Sequence, residues 1–503
     1  MTAAIEQLNR AAGLVVPEIV LLATICVMFL VGPYLVSAAG QASAGLRHRW
    51  GGLALAAIGA AWLVWFNTSP GSVEGGPFTN DALVWYTRGL TLTLGAVLVL
   101  LVWNQIDDGH SAEAHATLLS ILVGTNLVAA SNDLVELFLA LELVSIPTYV
   151  ILYLVRPDRD TREATLKYFL LSVFSSGLVL YGMALLYGAA GTTSFNGIVE
   201  ALAAPGRADG LLRHVALALM VAGFAFRITA VPFHFYAPDV FQGAAPANAA
   251  LLSFLPKIVG FVALVRIIPL AGATISPRLW LPDESARLLI ATLAVVTMFV
   301  GNLMALRQKH LYRLLAFSSV AHAGYMLVGL AVGNVGGVGG TSAVMFYLAA
   351  YGLMTIGTFA LLRGASGGDH EIETDDDLRG LARTNPLTAL LLAVCLLSLT
   401  GLPPTAGFLA KLNLFLAAWS EPTSAGTIPV GRGLAVLLAA NAAIAAWYYL
   451  RLIAVMYLEP APQPRPRPVE VAAWLGGLGC TIATLVLFAT PQWLWDAALR
   501  ITD

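Results

Sequence analysis

Apolar residues run along this chain in blocks of helix length, separated by short polar connections, from near the first residue to near the last. A helix needs about 20 apolar residues to cross lipid. Blocks at 14–36, 51–67, 83–104, 115–131, 133–155, 165–188, 212–232, 248–269, 287–306, 312–332, 342–363, 386–419, 433–457 and 470–490 meet or approach that length. The pattern predicts an all-α polytopic membrane protein of about fourteen transmembrane helices. Two blocks are irregular near the expected midplane: the seventh holds Pro232, and the twelfth holds Pro403 and Pro404. Proline removes a backbone donor and frees a carbonyl, which lipid tolerates only where protein or water satisfies it. Broken helices at matching places in two halves point to an inverted-repeat transporter core. The expected organisation is therefore 1–114 with helices 1–3, 115–270 as a first repeat of five helices (4–8), 287–457 as a second (9–13), and 458–503 with helix 14 and a tail.

The first block, Leu14 to Val36, exceeds a signal-peptide core, and its flank carries Glu6 as well as Arg10. It is expected to span, although Ala42-Ser43-Ala44 resembles a cleavage site. Connections after odd-numbered blocks carry Arg47, Arg49, Arg156, Arg159, Arg162, Arg307, Lys309, Arg313, Arg363, Arg379, Arg383, Arg465 and Arg467. The other side carries Arg10, Arg88, Arg207, Arg213, Arg266, Arg278, Arg287, Arg432 and Arg500. This bias places both termini outside the cytoplasm and the acidic connection Asp369 to Asp377 inside it, as a solvated loop or, alternatively, a docking surface for another subunit.

Composition narrows the chemistry. Charged residues are 11% and mean hydropathy is +0.79, against about 25% charged in soluble domains. A net charge of −2 gives no electrostatic footprint for nucleic acid. Cys26, Cys395 and Cys480 stand alone in apolar segments, which argues against a disulfide framework, a zinc site or an iron–sulfur cluster. There is no P-loop, and the glycine run Gly336 to Gly340 reads as a loop before a helix. No nucleotide, flavin or other redox cofactor is expected on this chain.

The basic residues are unevenly chosen. Four are lysines and 23 are arginines, and three of the lysines, Lys167, Lys257 and Lys411, lie inside apolar blocks. An ionisable group at the bilayer centre costs about 2.5–3.5 kcal/mol on insertion scales, so its default reading is functional. About 4 kcal/mol separates a free lysine from one that titrates near neutrality, the same order as the burial cost. Lys257 follows Pro256 at the centre of the eighth block, with Ser253 and Gly260 on its face. Lys411 follows the twelfth-block break. Lys167 lies nearer an end of the sixth block, where a snorkelling interfacial lysine is the competing reading. Glu142 sits deep in the fifth block, while Asp133 and Glu136 mark its start, where a helix dipole favours anions. Arg227 precedes Pro232 by five residues; deprotonating an arginine near neutrality would take roughly 8 kcal/mol, so it reads as a fixed counter-charge to Glu142.

Ser318, Ser319, His322 and Tyr325 share one helical face, a polar stripe suited to a hydrated path. His234, two residues past Pro232, reads equally as functional or as a loop residue satisfying freed carbonyls. Tyr347, Tyr351 and Thr355 form a further stripe, of the kind that usually packs helices together.

Several stretches resemble a known family. These are Leu166-Lys167-Tyr168-Phe169-Leu170-Leu171-Ser172, Val231-Pro232-Phe233-His234-Phe235-Tyr236-Ala237-Pro238-Asp239-Val240-Phe241-Gln242-Gly243-Ala244, Gly301-Asn302-Leu303-Met304-Ala305-Leu306, Arg313-Leu314-Leu315-Ala316-Phe317-Ser318-Ser319 and Leu399-Thr400-Gly401-Leu402-Pro403-Pro404-Thr405-Ala406-Gly407-Phe408. They look like the antiporter-like membrane subunits of respiratory complex I, the NADH–quinone oxidoreductase, and the likeness runs from about Pro17 to Tyr457. The second and fifth stretches are the most specific. Within the family the resemblance is closest to the N branch: 503 residues leave no room for the long lateral helix of the L type, and the M type carries glutamate where this chain has Lys411.

The resemblance implies a bacterial inner-membrane subunit that moves protons through Glu142, Lys167, Lys257, His322 and Lys411. NADH, FMN, iron–sulfur clusters and quinone would sit on partner subunits, and the neighbours would be other antiporter-like and small membrane subunits. The family usually has lysine in the seventh helix where this chain has Arg227, so the Glu142 pair would act by changing distance, and Lys257 would be the first titrating lysine. Protons would be taken up from the cytoplasm near Lys257, cross by way of waters and His322, and leave past Lys411. A sodium/proton antiporter subunit, a scaffold whose buried charges only fix packing, and a solitary solute carrier are the rival readings.

Overall fold

The computed structural model describes residues 9–36, 43–68, 70–72, 76–156, 158–203, 210–271, 274–276, 279–280, 284–334, 338–366, 371–421, 430–460 and 469–501. Ala42, Arg207, Arg278, Gly336, Asp369, Arg465 and Arg467, which contribute to the expected loops and charge bias, lie outside them. Among the described residues, thirteen helices are long and apolar enough to cross a membrane, and two shorter apolar helices make up the interrupted twelfth. In chain order these are α1 (Val16–Val31), α2 (Leu46–Asn67), α3 (Ala82–Val102), α4 (Ser111–Ala130), α5 (Leu134–Val155), α6 (Arg159–Ala190) and α7 (Gly210–Arg227). They continue as α8 (Pro246–Ala271), α9 (Glu284–Leu306), α10 (Leu311–Val332), α11 (Gly340–Ala365), α12 (Pro386–Thr400 and Ala406–Trp419), α13 (Val430–Leu458) and α14 (Val471–Ala489). Two short antiparallel ladders, Gly71–Ser72 with Thr79–Asn80 and Thr274–Ser276 with Leu279–Trp280, lie in connections.

Helix boundaries depart from the hydropathy pattern where local chemistry overrides it. Asp158 caps α6 by accepting from Thr161 N at 2.7 Å, so α6 starts at Arg159 and not at 165. The seventh helix stops at Arg227, five residues short of Pro232, and resumes as a 3₁₀ turn, Phe233–Tyr236, and a short helix, Ala237–Gly243. Thr229 takes a left-handed conformation there, φ +60°, and proline disfavours helix in the residue before it. The peptide bonds before Pro232 and before Pro404 are both cis.

The chain divides into two units, Met1–Arg227 with Ile258–Gly272, and Ile228–Lys257 with Ala273–Asp503. Contacts between connections test the count of spans, because in each unit they join loops of matching parity. In the first unit Phe78 pairs with Ser131, and Asp133 with Ser194. On its other face Asp108 accepts from Arg47 N at 2.8 Å and Gly45 N at 3.2 Å. The bond from Arg47 N chiefly holds the Asp108 carboxyl below the usual carboxylate range. In the second unit His310 pairs with Thr374, Arg363 with Glu470 at 2.6 Å, and Arg379 with Glu459 at 2.7 Å, while Arg287 meets Glu421 at the opposite end. One miscounted span would set such partners on opposite faces of the membrane.

Two of the arginines counted toward the charge bias lie within helices and are paired there. Arg266 lies in α8 and pairs with Asp81 at 2.6 Å. Arg88 lies in α3, fully buried, with Glu18 of α1 at 2.7 Å. In the second unit α10 and α11 are buried along almost their whole length. Gly301 of α9 and Gly324 of α10 let these two backbones meet, since a Cβ at either would strike the other helix's main chain.

Candidate functional site

In the first unit Glu142, Ser176 and Arg227 come together. Glu142 projects from α5, well inside that helix, with its side chain 26% exposed at the side of the unit. Ser176 of α6 donates to Glu142 Oε1 at 2.6 Å. Arg227 Nη2 lies 3.5 Å from Ser176 Oγ and 3.8 Å from Glu142 Oε1, so the serine hydroxyl stands between the charges and the pair is not bidentate. Arg227 is 3% exposed, and its Nε is buried without a hydrogen-bond partner. The expected counter-charge is present, in a loose geometry.

Lys167 stands apart from this group. Its side chain is 41% exposed and pairs at 2.7 Å with Glu163 one turn back on α6. Asp133 caps α5 by accepting from Val135 N at 2.8 Å and takes a second bond from Thr193 Oγ1 at 2.6 Å, with Glu136 in the first turn, as an interfacial helix start requires.

In the second unit each helix break holds a lysine. Lys257 is fully buried. Its Nζ donates to Thr229 Oγ1 at 3.0 Å and to the Ser319 carbonyl, and lies 5.4 Å from the Tyr351 ring centroid. Thr229 Oγ1 in turn donates to the Ile228 carbonyl at 2.6 Å, and Val231 N finds Thr297 Oγ1 at 3.1 Å, so side chains satisfy groups that the break releases. His234 is half-buried in the 3₁₀ turn that follows.

Lys411, 6% exposed, repeats the arrangement. Its Nζ donates to the Leu399 and Thr400 carbonyls at 3.0 and 2.7 Å and sits 5.1 Å from the Tyr325 ring centroid. These are the last carbonyls of the first α12 piece, where the helix dipole favours a cation. Gly401 ends that piece at φ +85°, and a methyl added there would stand 2.7 Å from Lys411 Cδ and 3.3 Å from Nζ. Gly401→Ala is therefore expected to cost about 1–2 kcal/mol in backbone strain and to push Nζ off its carbonyls. The purified protein should melt at a lower temperature; an unchanged midpoint would mean that the turn relaxes without moving the lysine.

Between the two lysines lies a set of buried hydroxyl, imidazole and amide groups. His322 of α10 bonds Tyr347 through Nδ1 at 2.7 Å and Tyr449 through Nε2 at 3.2 Å, and Tyr449 also meets Ser318. Tyr351 donates to Ser319 Oγ at 2.8 Å. Asn302 Nδ2 donates to Tyr325 at 3.0 Å and to Asn441 Oδ1 at 3.1 Å, while Tyr448 donates to Asn302 Oδ1 at 3.1 Å. The stripe on α10 thus faces this set along its length. Tyr347 and Tyr351 belong to it through their bonds to His322 and Ser319. Thr229, Asn302, Asn441, Tyr448 and Tyr449 do not stand out in the sequence; the adjacent tyrosines in an alanine-rich helix are the available signal. Among the described residues no three His, Cys, Asp or Glu side chains converge as metal ligands.

Fourteen spans among the described residues, two of them interrupted, with a buried lysine at a break, define a multi-pass membrane protein of the antiporter-like class. Residues 131–431 match the family described as "NADH:quinone oxidoreductase/Mrp antiporter, TM". NADH-quinone oxidoreductase subunit N of Rhodospirillum rubrum is 34% identical over 97% of this chain and 96% of its own length. Subunit N 1 of Rhizobium meliloti is 36% identical over 97% of both. Among solved structures, a chain of respiratory complex I from Thermus thermophilus superposes with TM-score 0.77 at 30% identity, covering 95% of this chain and 98% of that one. The chain belongs to the antiporter-like membrane subunits of NADH–quinone oxidoreductase, in the subunit N branch.

Proposed function

We propose that this chain is the proton-translocating membrane subunit of a proton-pumping NADH–quinone oxidoreductase. The observation that carries the reading is the second unit's series of buried polar side chains, bounded by Lys257 at one helix break and Lys411 at the other. Protons are taken up from the cytoplasm near Lys257, pass by way of waters, His322 and the tyrosines around it, and leave past Lys411. The drive reaches the chain as a change in the Glu142–Arg227 pair and in the electrostatics of Lys257, relayed from a neighbouring antiporter-like subunit. Arg227 keeps its proton throughout. Moving one proton against about 200 mV takes roughly 4.6 kcal/mol, comparable with the energy that separates a free lysine from one titrating near neutrality.

On this reading residues 115–270 and 287–457 are the two inverted repeats, both termini face away from the cytoplasm, and the membrane is the bacterial plasma membrane. Electron transfer belongs to partner subunits, which hold NADH, FMN, the iron–sulfur clusters and quinone. Lys167, exposed in this chain, serves at an edge where a neighbouring subunit or lipid headgroups cover it, and His234 is a lesser member of the set. A role in a multisubunit sodium/proton antiporter is the alternative that the family description also names; the match to subunit N relatives over almost their full length favours the first.

A tagged copy, extracted in mild detergent and separated as native complexes, is expected to run with NADH-driven quinone reduction in one large assembly. Proton uptake by that assembly in proteoliposomes should not depend on sodium. A tag in a smaller assembly without the activity, or transport that requires sodium, would hand the chain to the antiporter reading.

A further inference from the structure

Thr229 is the one non-glycine residue with positive φ among the described residues, at +60°. A β-branched side chain is a genuine outlier in the left-handed region, where glycine or asparagine fits more easily. Strain of this kind persists where surrounding contacts over-determine it and clusters at switch positions. Here the contacts are the hydroxyl's own. Thr229 Oγ1 accepts from Lys257 Nζ at 3.0 Å and donates to the Ile228 carbonyl at 2.6 Å. A hydroxyl has one proton and two lone pairs. While Lys257 is an ammonium with no lone pair, the Thr229 proton must point elsewhere, and Ile228 takes it. Once Lys257 is a neutral amine, its lone pair accepts, and the same hydroxyl can turn to donate to Nζ and let the Ile228 carbonyl go.

We propose that Thr229 is a positioning residue for Lys257: a hydroxyl rotor, held by a strained backbone, that couples the charge of Lys257 to the backbone of the seventh-helix break. The inference rests on the proton-translocation reading and extends it to a residue that never carries the proton. No bond other than hydrogen bonds changes. The proton that Lys257 loses goes along the buried set, and the Thr229 proton stays on its oxygen. The groups facing Nζ in this unit are Thr229, the Ser319 carbonyl and the Tyr351 ring, with His322 one turn beyond Ser319 on α10. Tyr351 gives its own proton to Ser319 Oγ, which leaves the threonine hydroxyl as the neighbour able to reverse its bond to Nζ. Thr297 caps Val231 N, so the turn beyond the rotor is anchored and motion at Ile228 is not dissipated there.

The test uses the whole complex in proteoliposomes. It compares Thr229→Val, Thr229→Ser and Thr229→Gly for quinone-coupled proton uptake across the neutral-to-alkaline range. Valine keeps the shape and loses the hydroxyl; its turnover is expected to fall about tenfold, as for one hydrogen bond to a charged group, with a displaced pH profile. Serine should restore both rate and profile. Glycine relieves the backbone, so it should assemble at least as well as wild type yet show the valine defect. Should valine fail to assemble, glycine decides alone. A valine or glycine complex with wild-type rate and pH profile would overturn the rotor. Lys257→Met in the same assay separates the two claims. If it loses pumping while Thr229→Val does not, the rotor alone fails; if it pumps normally, the translocation reading fails and the rotor with it.

Discussion

Replacing Lys257 by methionine is expected to leave the complex assembled and to slow its coupled proton uptake by more than about tenfold, a barrier change of at least 1.4 kcal/mol. The side chain is fully buried and its long stem fills a packed site, so a flexible apolar residue of similar volume should replace the packing at modest cost. What it cannot replace is the ammonium held by Thr229 and the Ser319 carbonyl beside the Tyr351 ring. Lys257→Arg sharpens the result. Arginine restores a charge but does not titrate, so it should also fail to pump if the proton is the point. It should pump if a fixed positive charge were enough. Protons taken up per NADH oxidised, measured beside the quinone-reduction rate, is the readout. Full stoichiometry in an assembled methionine complex would sink the proton path and leave a scaffold whose charges only fix packing.

The parts of this site that are legible in the sequence are those where charge contradicts hydropathy. Glu142, Lys257 and Lys411 stand out in apolar runs, and Pro232 and Pro403–Pro404 announce the breaks beside two of them. Arg227 can be paired with Glu142 because few other charges lie at membrane depth. The intervening Ser176 cannot be foreseen, since a serine in an apolar helix is ordinary and its partner is set by how α5, α6 and α7 pack. Thr229 is hidden for a different reason: a left-handed backbone at threonine runs against its propensity and comes from the tertiary contacts around it. Asn302, Asn441, Tyr448 and Tyr449 carry no charge and follow no short period across helices, so their convergence belongs to the packing of α9, α10 and α13. Lys167 shows the limit from the other side. Its charge is plain, but that its side chain stays partly exposed beside Glu163 depends on how α6 packs, which hydropathy does not show.

Arg88→Met is expected to destabilise the protein more than any other substitution proposed for it, at about 3–5 kcal/mol, because it strands the Glu18 carboxylate in a buried apolar setting. Arg88 lies seven residues into α3 and counts toward the charge bias of one side in the sequence. Its guanidinium is fully enclosed and bonded at each of its three nitrogens. Nε and Nη2 grip the two Glu18 oxygens at 2.7 and 2.9 Å, Nη1 reaches Asn80 Oδ1 at 2.9 Å, and Nη2 also bonds the Leu14 carbonyl at 2.8 Å. This bidentate geometry contrasts with the loose Glu142–Arg227 pair. A pair whose guanidinium nitrogens are all bonded holds α1 against α3, whereas the Glu142–Arg227 pair leaves Nε without a hydrogen-bond partner and has a serine between its charges. The double variant Glu18→Gln with Arg88→Met removes both charges and should recover most of the lost stability. The thermal midpoint and yield of the purified complex are the measurements, with proton uptake per NADH unchanged in whatever assembles. A single Arg88→Met complex that is as stable as wild type would mean that this pair does not hold α1 against α3. A double variant that is stable but does not pump would move this pair from the frame of the protein to its mechanism.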